Sequence, residues 1–311
     1  MSGLLGAFDP QSPGARATFD LGILATIIFT LIFVAVGGTI VYSLVRFRWR
    51  EGEPDPKQIA GHKTIELVWT AIPLAIVVFL FVFTARTMST VDPAPPARPD
   101  LLVIGHQFWW EARYTGSGAV VANEIHLPLG KPFSVRLESA DVVHEFWVAG
   151  VSRKIQAIPG RPNYLWLEPT RPGTYTGVCT EFCGVQHTWM RFRVVAEDAA
   201  TFAAWEQAQL QPATLPADPV AAQGLTLFRA MSCVNCHAIK GISDLRAGVG
   251  PDLTHLASRG ILGSGVVDNT PENLRLWLED PQQVKPGVLM PNYHFTPEQL
   301  TRLMSYFNTL R

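Results

Sequence analysis

Two long segments without a charged residue constrain the fold of this chain more than any other feature. The first runs from residue 21 to 45 and the second from residue 67 to 85. At a rise of about 1.5 Å per residue, either segment is long enough to cross a hydrocarbon core of about 30 Å as a helix. Helices buried in a soluble core are the alternative. The pattern predicts an integral membrane protein whose N-terminal part is a two-helix transmembrane hairpin.

The distribution of basic residues predicts the orientation of this hairpin. The stretch between the two segments contains Arg48, Arg50, Lys57 and Lys63, with Arg46 at its edge. The twenty residues before the first segment contain only Arg16. Basic residues are retained on the cytoplasmic side, so we expect both termini on the external face. A cleavable signal peptide is not expected, because the first apolar stretch is too long and lacks a small-residue cleavage site.

Changes in composition divide the rest of the chain. A length of 311 residues allows roughly two domains, and a net charge of −1 argues against nucleic-acid binding. Proline-rich stretches at 92–100 and 210–219 interrupt the chain as spacers. The predicted division is an N-terminal segment with the hairpin at 1–91 (spans about 21–45 and 67–85), a domain at 92–200, a linker at 201–219 and a domain at 220–311.

The two external domains differ in their local patterns. Short segments rich in β-branched and aromatic residues, separated by Gly/Pro turns, predict an all-β Greek-key sandwich or barrel; they are 101–114, 119–127, 133–138 and 189–195. A helical segment at 198–208 follows. From residue 220 the pattern becomes helical, and the last helix is expected to begin with Thr296 as N-cap and Pro297 in its first turn.

All four cysteines lie in two motifs that are typical of redox centres. The first motif contains Cys179, Cys183, His187 and Met190, and an isolated His144 precedes it. Thiolate and imidazole ligands suit copper or zinc. Two sulfurs four residues apart can bridge two copper ions, with a histidine binding each ion, Met190 as a weak axial donor and a backbone carbonyl as the other. A mononuclear zinc site or a disulfide are the alternatives.

The second motif, Cys233-x-x-Cys236-His237, is the pattern for covalent attachment of haem c. His237 would be the proximal ligand of the iron. Met290 lies in a proline-flanked loop 53 residues later, and a Met/His pair raises the potential of a haem. Met290 is therefore the predicted sixth ligand.

The first motif resembles the CuA site of cytochrome c oxidase subunit II, and the resemblance covers about residues 20 to 196. His144 matches the family's histidine at the close of a strand, and the segments 66–73, 105–110 and 157–161 are also similar. The resemblance implies a cupredoxin-like domain in which the Glu181 carbonyl binds copper and the Glu181 carboxylate faces Mg²⁺ at the interface with the catalytic subunit. It also implies that Glu66 lies at the mouth of a proton-uptake route.

The same resemblance suggests where electrons enter the CuA domain. The family commonly has tryptophan at the position of Phe108, and Trp109 and Trp110 follow it here. We expect these three residues to share that role. Asp141 and Glu145, on either side of His144, could form an acidic docking surface for a basic donor.

The C-terminal domain is similar to an all-α class I cytochrome c. The segment 250–253 resembles the family segment in which a proline carbonyl, here that of Pro251, orients the proximal histidine. By the same resemblance, Gly224 and Phe228 on the first helix are expected to contact Tyr306 on the last.

The whole chain resembles subunit II of a caa(3)-type haem–copper oxidase, with a cytochrome c fused behind the CuA domain. This implies an electron-entry subunit of a respiratory enzyme, passing electrons through haem c and CuA to an O2-reducing, proton-translocating subunit I. The oxygen site must lie on that separate subunit, because this chain has too few spans to contain it. Subunit III and an electron donor, such as a cytochrome c or a quinol–cytochrome c reductase, are the other implied partners.

The expected location is the bacterial inner membrane, with both redox domains periplasmic. The CuA subunit of a nitric oxide reductase and a stand-alone membrane-anchored electron carrier are the alternatives.

Overall fold

The computed structural model describes residues 5–92, 94–243 and 249–311. Residues 1–4, 93 and 244–248, which fall inside the predicted N-terminal, β and haem domains, lie outside the described residues. Contacts between Cα atoms divide the chain into two compact units. One unit is residues 16–93, and the other combines residues 1–15 with 94–311.

The unit of residues 16–93 consists of two long helices, α1 (Pro13–Arg46) and α2 (Lys63–Val91), of which α1 begins in the other unit. They have no buried residues and are apolar around their whole circumference, as expected of helices that face lipid. Both are long and apolar enough to cross a membrane. Each extends beyond its predicted span. At the start of α2, the His62 ring accepts a hydrogen bond from the Ile65 amide, and Glu66 accepts one from the His62 amide at 3.1 Å.

Residues 101–197 form a sandwich of two five-stranded sheets. The strands are β1 (Leu101–His106), β2 (Trp109–Tyr114), β3 (Val120–Ala122), β4 (Glu124–Pro128), β5 (Phe133–Ser139), β6 (His144–Val148), β7 (Ile155–Ala157), β8 (Asn163–Leu167), β9 (Gly173–Cys179) and β10 (Arg191–Glu197). The first sheet has the order β3-β2-β1-β5-β8 and the second has the order β4-β10-β9-β6-β7. Pairing is antiparallel except between β1 and β5 and between β4 and β10. Inward-facing side chains from both sheets form one hydrophobic core.

The sequence prediction of this domain needs two corrections. The expected strand 101–114 is two strands, because the chain turns at Gln107 and Phe108 so that β1 and β2 pair antiparallel. His144 begins β6 instead of closing a strand. The reason is Asp141, whose carboxylate accepts hydrogen bonds from the amides of Val142 and Gln107 and thereby turns the chain immediately before β6.

Helix α3 (Ala199–Gln209) closes the end of the sandwich. Asp198 is its N-cap, and the buried Phe202 contacts the rings of Tyr114 and Phe133 in the β core. The linker predicted at 201–219 therefore contains a helix that packs on the β domain, and the extended connection follows it.

The C-terminal part contains α4 (Pro219–Ala230), α5 (Pro271–Glu279), α6 (Pro281–Val284) and α7 (Pro297–Phe307), with a short pair of strands, β11 (Ile261–Leu262) and β12 (Val267–Asp268). The Thr296 N-cap prediction is confirmed, since its hydroxyl accepts from the Gln299 amide in a capping box. The crossing of α4 and α7 is also as predicted. An added Cβ on Gly224 would lie 2.1 Å from the Arg302 carbonyl oxygen, and the Phe228 and Tyr306 ring centroids are 5.8 Å apart.

Candidate redox sites

The two cysteines of the first motif lie at the end of β9 and in the loop that follows it. Their Sγ atoms are 3.8 Å apart. The His144 Nδ1 atom is 4.0 Å from the Cys179 sulfur, and the His187 Nδ1 atom is 3.8 Å from the Cys183 sulfur. Each thiol therefore has its own histidine.

Two weaker donors complete this cluster. The Met190 sulfur is 3.9 Å from the Cys183 sulfur, and the Glu181 carbonyl oxygen is 3.3 Å from the Cys179 sulfur. The six predicted copper ligands are thus brought together around one sulfur pair. Cys179, Cys183 and Met190 are buried, and His144 is completely inaccessible to solvent.

The sulfur geometry fits metal binding and not a disulfide. A disulfide requires a sulfur–sulfur distance of about 2.05 Å, well below the distance found here. The two thiols are strongly coupled. The contact with Cys183 lowers the pKa of Cys179, and the thiolate formed there raises the pKa of Cys183. One cysteine of this pair is therefore readily deprotonated, and a thiolate beside a second sulfur favours binding of a thiophilic cation between them.

The orientation of the His144 ring is set by Asp141. The Asp141 carboxylate lies 2.7 Å from the His144 Nε2 atom, which directs the opposite ring nitrogen to the sulfur pair. Burial lowers the pKa of His144, but contacts with Cys179 and Asp141 outweigh burial and raise it. Gly105 makes room for the ring, since an added Cβ there would lie 2.8 Å from the His144 Cδ2 atom.

His237, the predicted proximal histidine of the second motif, is also held through one ring nitrogen. The His237 Nδ1 atom donates a hydrogen bond to the Pro251 carbonyl at 2.8 Å, so that Nε2 is free to bind iron. This confirms the predicted role of the proline carbonyl. Gly250 lies against the ring, and a Cβ there would be 2.7 Å from the His237 Cε1 atom. Burial lowers the pKa of His237 and so favours the neutral imidazole that binds metals.

A large cavity adjoins this histidine. It contains about 1360 Å³ of space between atoms, part of it open to solvent, and both Cys233 and Cys236 line it together with His237 and Met290. Its wall is largely apolar, with leucines from α5 and α7 and the basic side chains of Arg259 and Lys285. This lining fits an apolar macrocycle that carries two carboxylates. The four residues predicted to hold haem c therefore meet at one cavity.

The structure does not expose the residues at which electrons were expected to enter. Phe108 and Trp109 are 8% and 6% exposed, and Trp110 lies fully inside the β core. Phe108 and Trp109 also line the haem cavity. The role predicted for these residues stays a prediction, but the partner that they face is the C-terminal domain of the same chain.

The two predicted interface acids lie in different surroundings. The Glu181 carboxylate is 3.0 Å from the Gln156 amide nitrogen at the surface. Glu66 lies in the first turn of α2 and bonds to the His62 amide, as an acid at a helix N-terminus does.

Sequence reasoning missed four residues that the structure connects to the sites. Asp141, interpreted as a docking acid, orients His144. Gln107 donates to the Cys183 carbonyl oxygen at 2.6 Å, and Gln186 donates to the Lys285 and Pro286 carbonyls. Lys285 is buried, and this burial lowers its pKa to about 7. Only Asp141 had a usable signal, because an acid three residues before a ligand histidine can reach its ring.

Fold and sites together define a membrane-anchored electron-transfer protein with a cupredoxin-like sandwich and a cytochrome c domain. Three family models agree. The transmembrane domain of cytochrome c oxidase subunit II matches residues 5–86, its periplasmic domain matches residues 118–197, and cytochrome c matches residues 221–311. The cytochrome c match indicates haem c, and the subunit II match indicates CuA.

Similar curated proteins share the whole arrangement. Cytochrome c oxidase subunit 2 of Alkalihalophilus pseudofirmus is 33% identical, covering 99% of this chain and 91% of that protein. The subunits 2 of Bacillus sp. PS3 and Bacillus subtilis are 31% and 30% identical, covering 99% and 92% of this chain and 92% and 85% of theirs. The chain belongs to the cytochrome c oxidase subunit 2 family, in the form with a fused C-terminal cytochrome c domain. It is a membrane protein with a periplasmic domain, passes electrons into a haem–copper oxidase and associates with subunit I.

Proposed function

We propose that this chain collects electrons on haem c and passes them through dinuclear copper to subunit I, using the ligands that the sequence predicts. Copper would be held by His144, Cys179, Cys183, His187, Met190 and the Glu181 carbonyl. Haem c would be held by Cys233, Cys236, His237 and Met290. The observation that carries the proposal is the sulfur pair with one histidine against each sulfur.

This donor set favours two copper ions over one zinc ion. A tetrahedral zinc site needs four ligands and has no use for a thioether and a carbonyl beyond two thiols and two imidazoles. Six donors around two sulfurs suit two ions that share both thiolates. When bound, the copper pair supplies a one-electron centre, and sharing that electron over two ions keeps the change at each bond small.

The remaining assignments follow from the family resemblance. We infer that the Glu181 carboxylate faces a Mg²⁺ site at the subunit I interface and that Glu66 lies at the mouth of a proton-uptake route. Subunit III and a cytochrome c or quinol–cytochrome c reductase would be the further partners. The complex would lie in the bacterial inner membrane with both termini and both redox domains periplasmic, and the domains would be bounded at about 92, 201 and 220.

Purification of the intact complex tests this function. We expect two copper ions and one haem c per chain, copper–thiolate absorption bands, a co-purified subunit I with its own haems, and cyanide-sensitive O2 uptake. Substitution of Cys183 with Ser should abolish the copper bands and leave the haem c spectrum unchanged. One copper or none per assembled chain would contradict the dinuclear site. Reduction of NO without O2 uptake, or isolation without a catalytic partner, would favour the alternative functions.

A further inference from the structure

We propose that the haem domain is docked in a fixed position on the CuA domain and that Gln107 and Gln186 link the haem cavity directly to the copper ligands, with Lys285 as the residue that positions this junction. The inference rests on the proposed function, because it requires both centres to be loaded. It assigns roles to three residues that the family resemblance did not supply.

A buried set of hydrogen bonds joins the two domains around one carbonyl. The Phe108 carbonyl oxygen accepts from the Lys285 side-chain nitrogen at 3.0 Å and from the Ser264 hydroxyl at 2.8 Å, and both bonds are buried. Lys285 and Ser264 are 3% and 4% exposed. Burial lowers the pKa of Lys285 to about 7, so the side chain is only partly charged at neutral pH. In either form its nitrogen donates to the Phe108 carbonyl, and separating the domains would break both hydrogen bonds to this carbonyl.

Further contacts extend this interface on both sides. The Arg191 amide donates to the Ser264 carbonyl at 3.0 Å, and the Gly260 amide donates to the Glu124 carboxylate at 2.9 Å. At the rim, Arg193 forms an exposed ion pair with Asp268. The contacts combine backbone and side-chain groups from several loops, which favours one docked position over a domain that moves on its linker.

The first link runs from the cavity wall to a copper ligand. Gln107 lines the haem cavity, and its side-chain amide donates to the carbonyl oxygen of Cys183 at 2.6 Å. Its backbone amide bonds to Asp141, which in turn holds His144. Through its side chain and its backbone amide, this one residue connects the cavity by hydrogen bonds to Cys183 and, through Asp141, to His144.

The second link joins the loops that carry a ligand of each centre. Gln186 is 1% exposed and donates to the carbonyls of Lys285 and Pro286, at the start of the loop that carries Met290. The residue after Gln186 is the copper ligand His187. The loop of the haem ligand is therefore one hydrogen bond and one peptide unit away from a copper ligand.

Electron transfer across this junction needs no proton and no change of bonds. One electron leaves ferrous haem c, whose iron becomes ferric, and the oxidised copper pair gains that electron. Electronic coupling between two redox centres is stronger through covalent and hydrogen bonds than across empty space. The side-chain amides of Gln107 and Gln186 would therefore set the rate of electron transfer from haem c to copper. Docking also covers Phe108 and Trp109, so an external donor would have to deliver its electrons to the haem domain.

Photo-induced reduction of haem c in the purified oxidase, followed at the copper absorption bands, tests the two links. Wild-type transfer should be fast and independent of solvent viscosity, as in a fixed complex. Gln107→Leu and Gln186→Leu should each slow it severalfold, and the double variant more, with unchanged copper and haem spectra. Asp268→Asn, at the rim of the same interface, is the matched control and should leave the rate unchanged.

Hydrogen exchange of the same full-length complex tests the positioning role of Lys285. Lys285→Met should increase exchange at the amide of Arg191 by roughly 5-fold, as expected for loss of one hydrogen bond worth about 1 kcal/mol, and make transfer dependent on viscosity. Lys285→Arg should restore both, and Ser264→Ala, which removes the other bond to the same carbonyl, should show a smaller effect. If the Lys285→Met complex does not assemble, exchange at the Arg191 amide in Ser264→Ala alone tests the junction.

The outcomes separate this inference from the proposed function. Unchanged transfer rates in both glutamine variants, or exchange at Arg191 that is insensitive to Lys285 and Ser264, would overturn the junction and leave the function in place. A wild-type complex with both centres loaded but no transfer between them would contradict the proposed function itself.

Discussion

At the predicted copper site the donor atoms of His144, Cys179, Cys183 and His187 each lie within 4.0 Å of a cysteine sulfur, whereas the predicted haem ligands line a cavity that is partly open to solvent. Cys179, Cys183 and Met190 belong to the hydrophobic core of the sandwich, but most of that core is formed by other side chains of the two sheets. In the C-terminal domain, Phe228, Leu274 and Leu303 belong to the hydrophobic core and also line the cavity. Copper would therefore add to a fold whose core is formed mainly by other side chains, while haem would supply much of the volume that the haem domain packs around.

The largest expected effect follows from this difference. Replacing both Cys233 and Cys236 with Ser removes the covalent attachment, and the haem domain should lose protection from hydrogen exchange over residues 220–311. The loss should be on the order of 5 kcal/mol, which is about the whole stability of a small domain. Cys179→Ser should cost about 1 kcal/mol in the β domain, because a hydroxyl fits the site and can bond to its neighbours. If the cysteine variants lost equal hydrogen-exchange protection in the haem domain and in the β domain, the two domains would not differ in how much they depend on their cofactor.

The next effect concerns Met290, the predicted sixth ligand, which lines the cavity. Met290→Ala should keep the thioether bonds and His237 but lower the midpoint potential of haem c by on the order of 100 mV, since axial ligands tune haem potentials over about 0.8 V. Redox titration of the Soret band measures the shift. Met304→Ala, in the partly buried contacts of α7, is the control and should leave the potential within experimental error. An unchanged potential in Met290→Ala would exclude Met290 as a ligand.

The sequence was sufficient for features that depend on local pattern. The apolar spans, the cysteine motifs and the Thr296 cap each occupy one short segment, and the structure contains a corresponding element at each. The helix-crossing residues Gly224 and Tyr306 came from the resemblance, because they lie far apart in sequence and meet only after folding.

Features that depend on contacts between distant segments were missed. The turn at Gln107, the position of His144 at the start of a strand and the role of Asp141 all arise where β1 and the loop before β6 meet. Lys285 and Gln186 are ordinary polar residues in the sequence. Their burial is set by how the two external domains contact each other, and no local pattern encodes that arrangement.

A smaller effect tests how the copper site is oriented. Asp141→Asn keeps the size of the side chain but weakens its hydrogen bond to His144, so copper affinity should fall about 10- to 100-fold with little loss of fold stability. Competition with a copper chelator, followed at the thiolate bands, measures the affinity. Glu138→Gln, in β5 and bonded to Arg136, is the control. Wild-type affinity in Asp141→Asn would mean that the protein backbone alone orients the ring.

The smallest expected effect lies at the contact between the two external domains. Burial raises the pKa of Glu124, but contacts with His126, with the Gly260 amide and with Arg259 outweigh burial, and the pKa lies below its ordinary value of 4.5. A depressed carboxyl pKa contributes stability that is fully present above the ordinary value and is lost as the pH falls through the value in the folded state. Docking should therefore weaken by about 1 kcal/mol below roughly pH 4.5, seen as faster exchange at the Gly260 amide after correction for the intrinsic pH dependence. In Glu124→Gln the contact should be weaker at neutral pH and should not change over this range, because an amide does not titrate there. The same pH dependence in Glu124→Gln as in the wild type would assign the effect to another group.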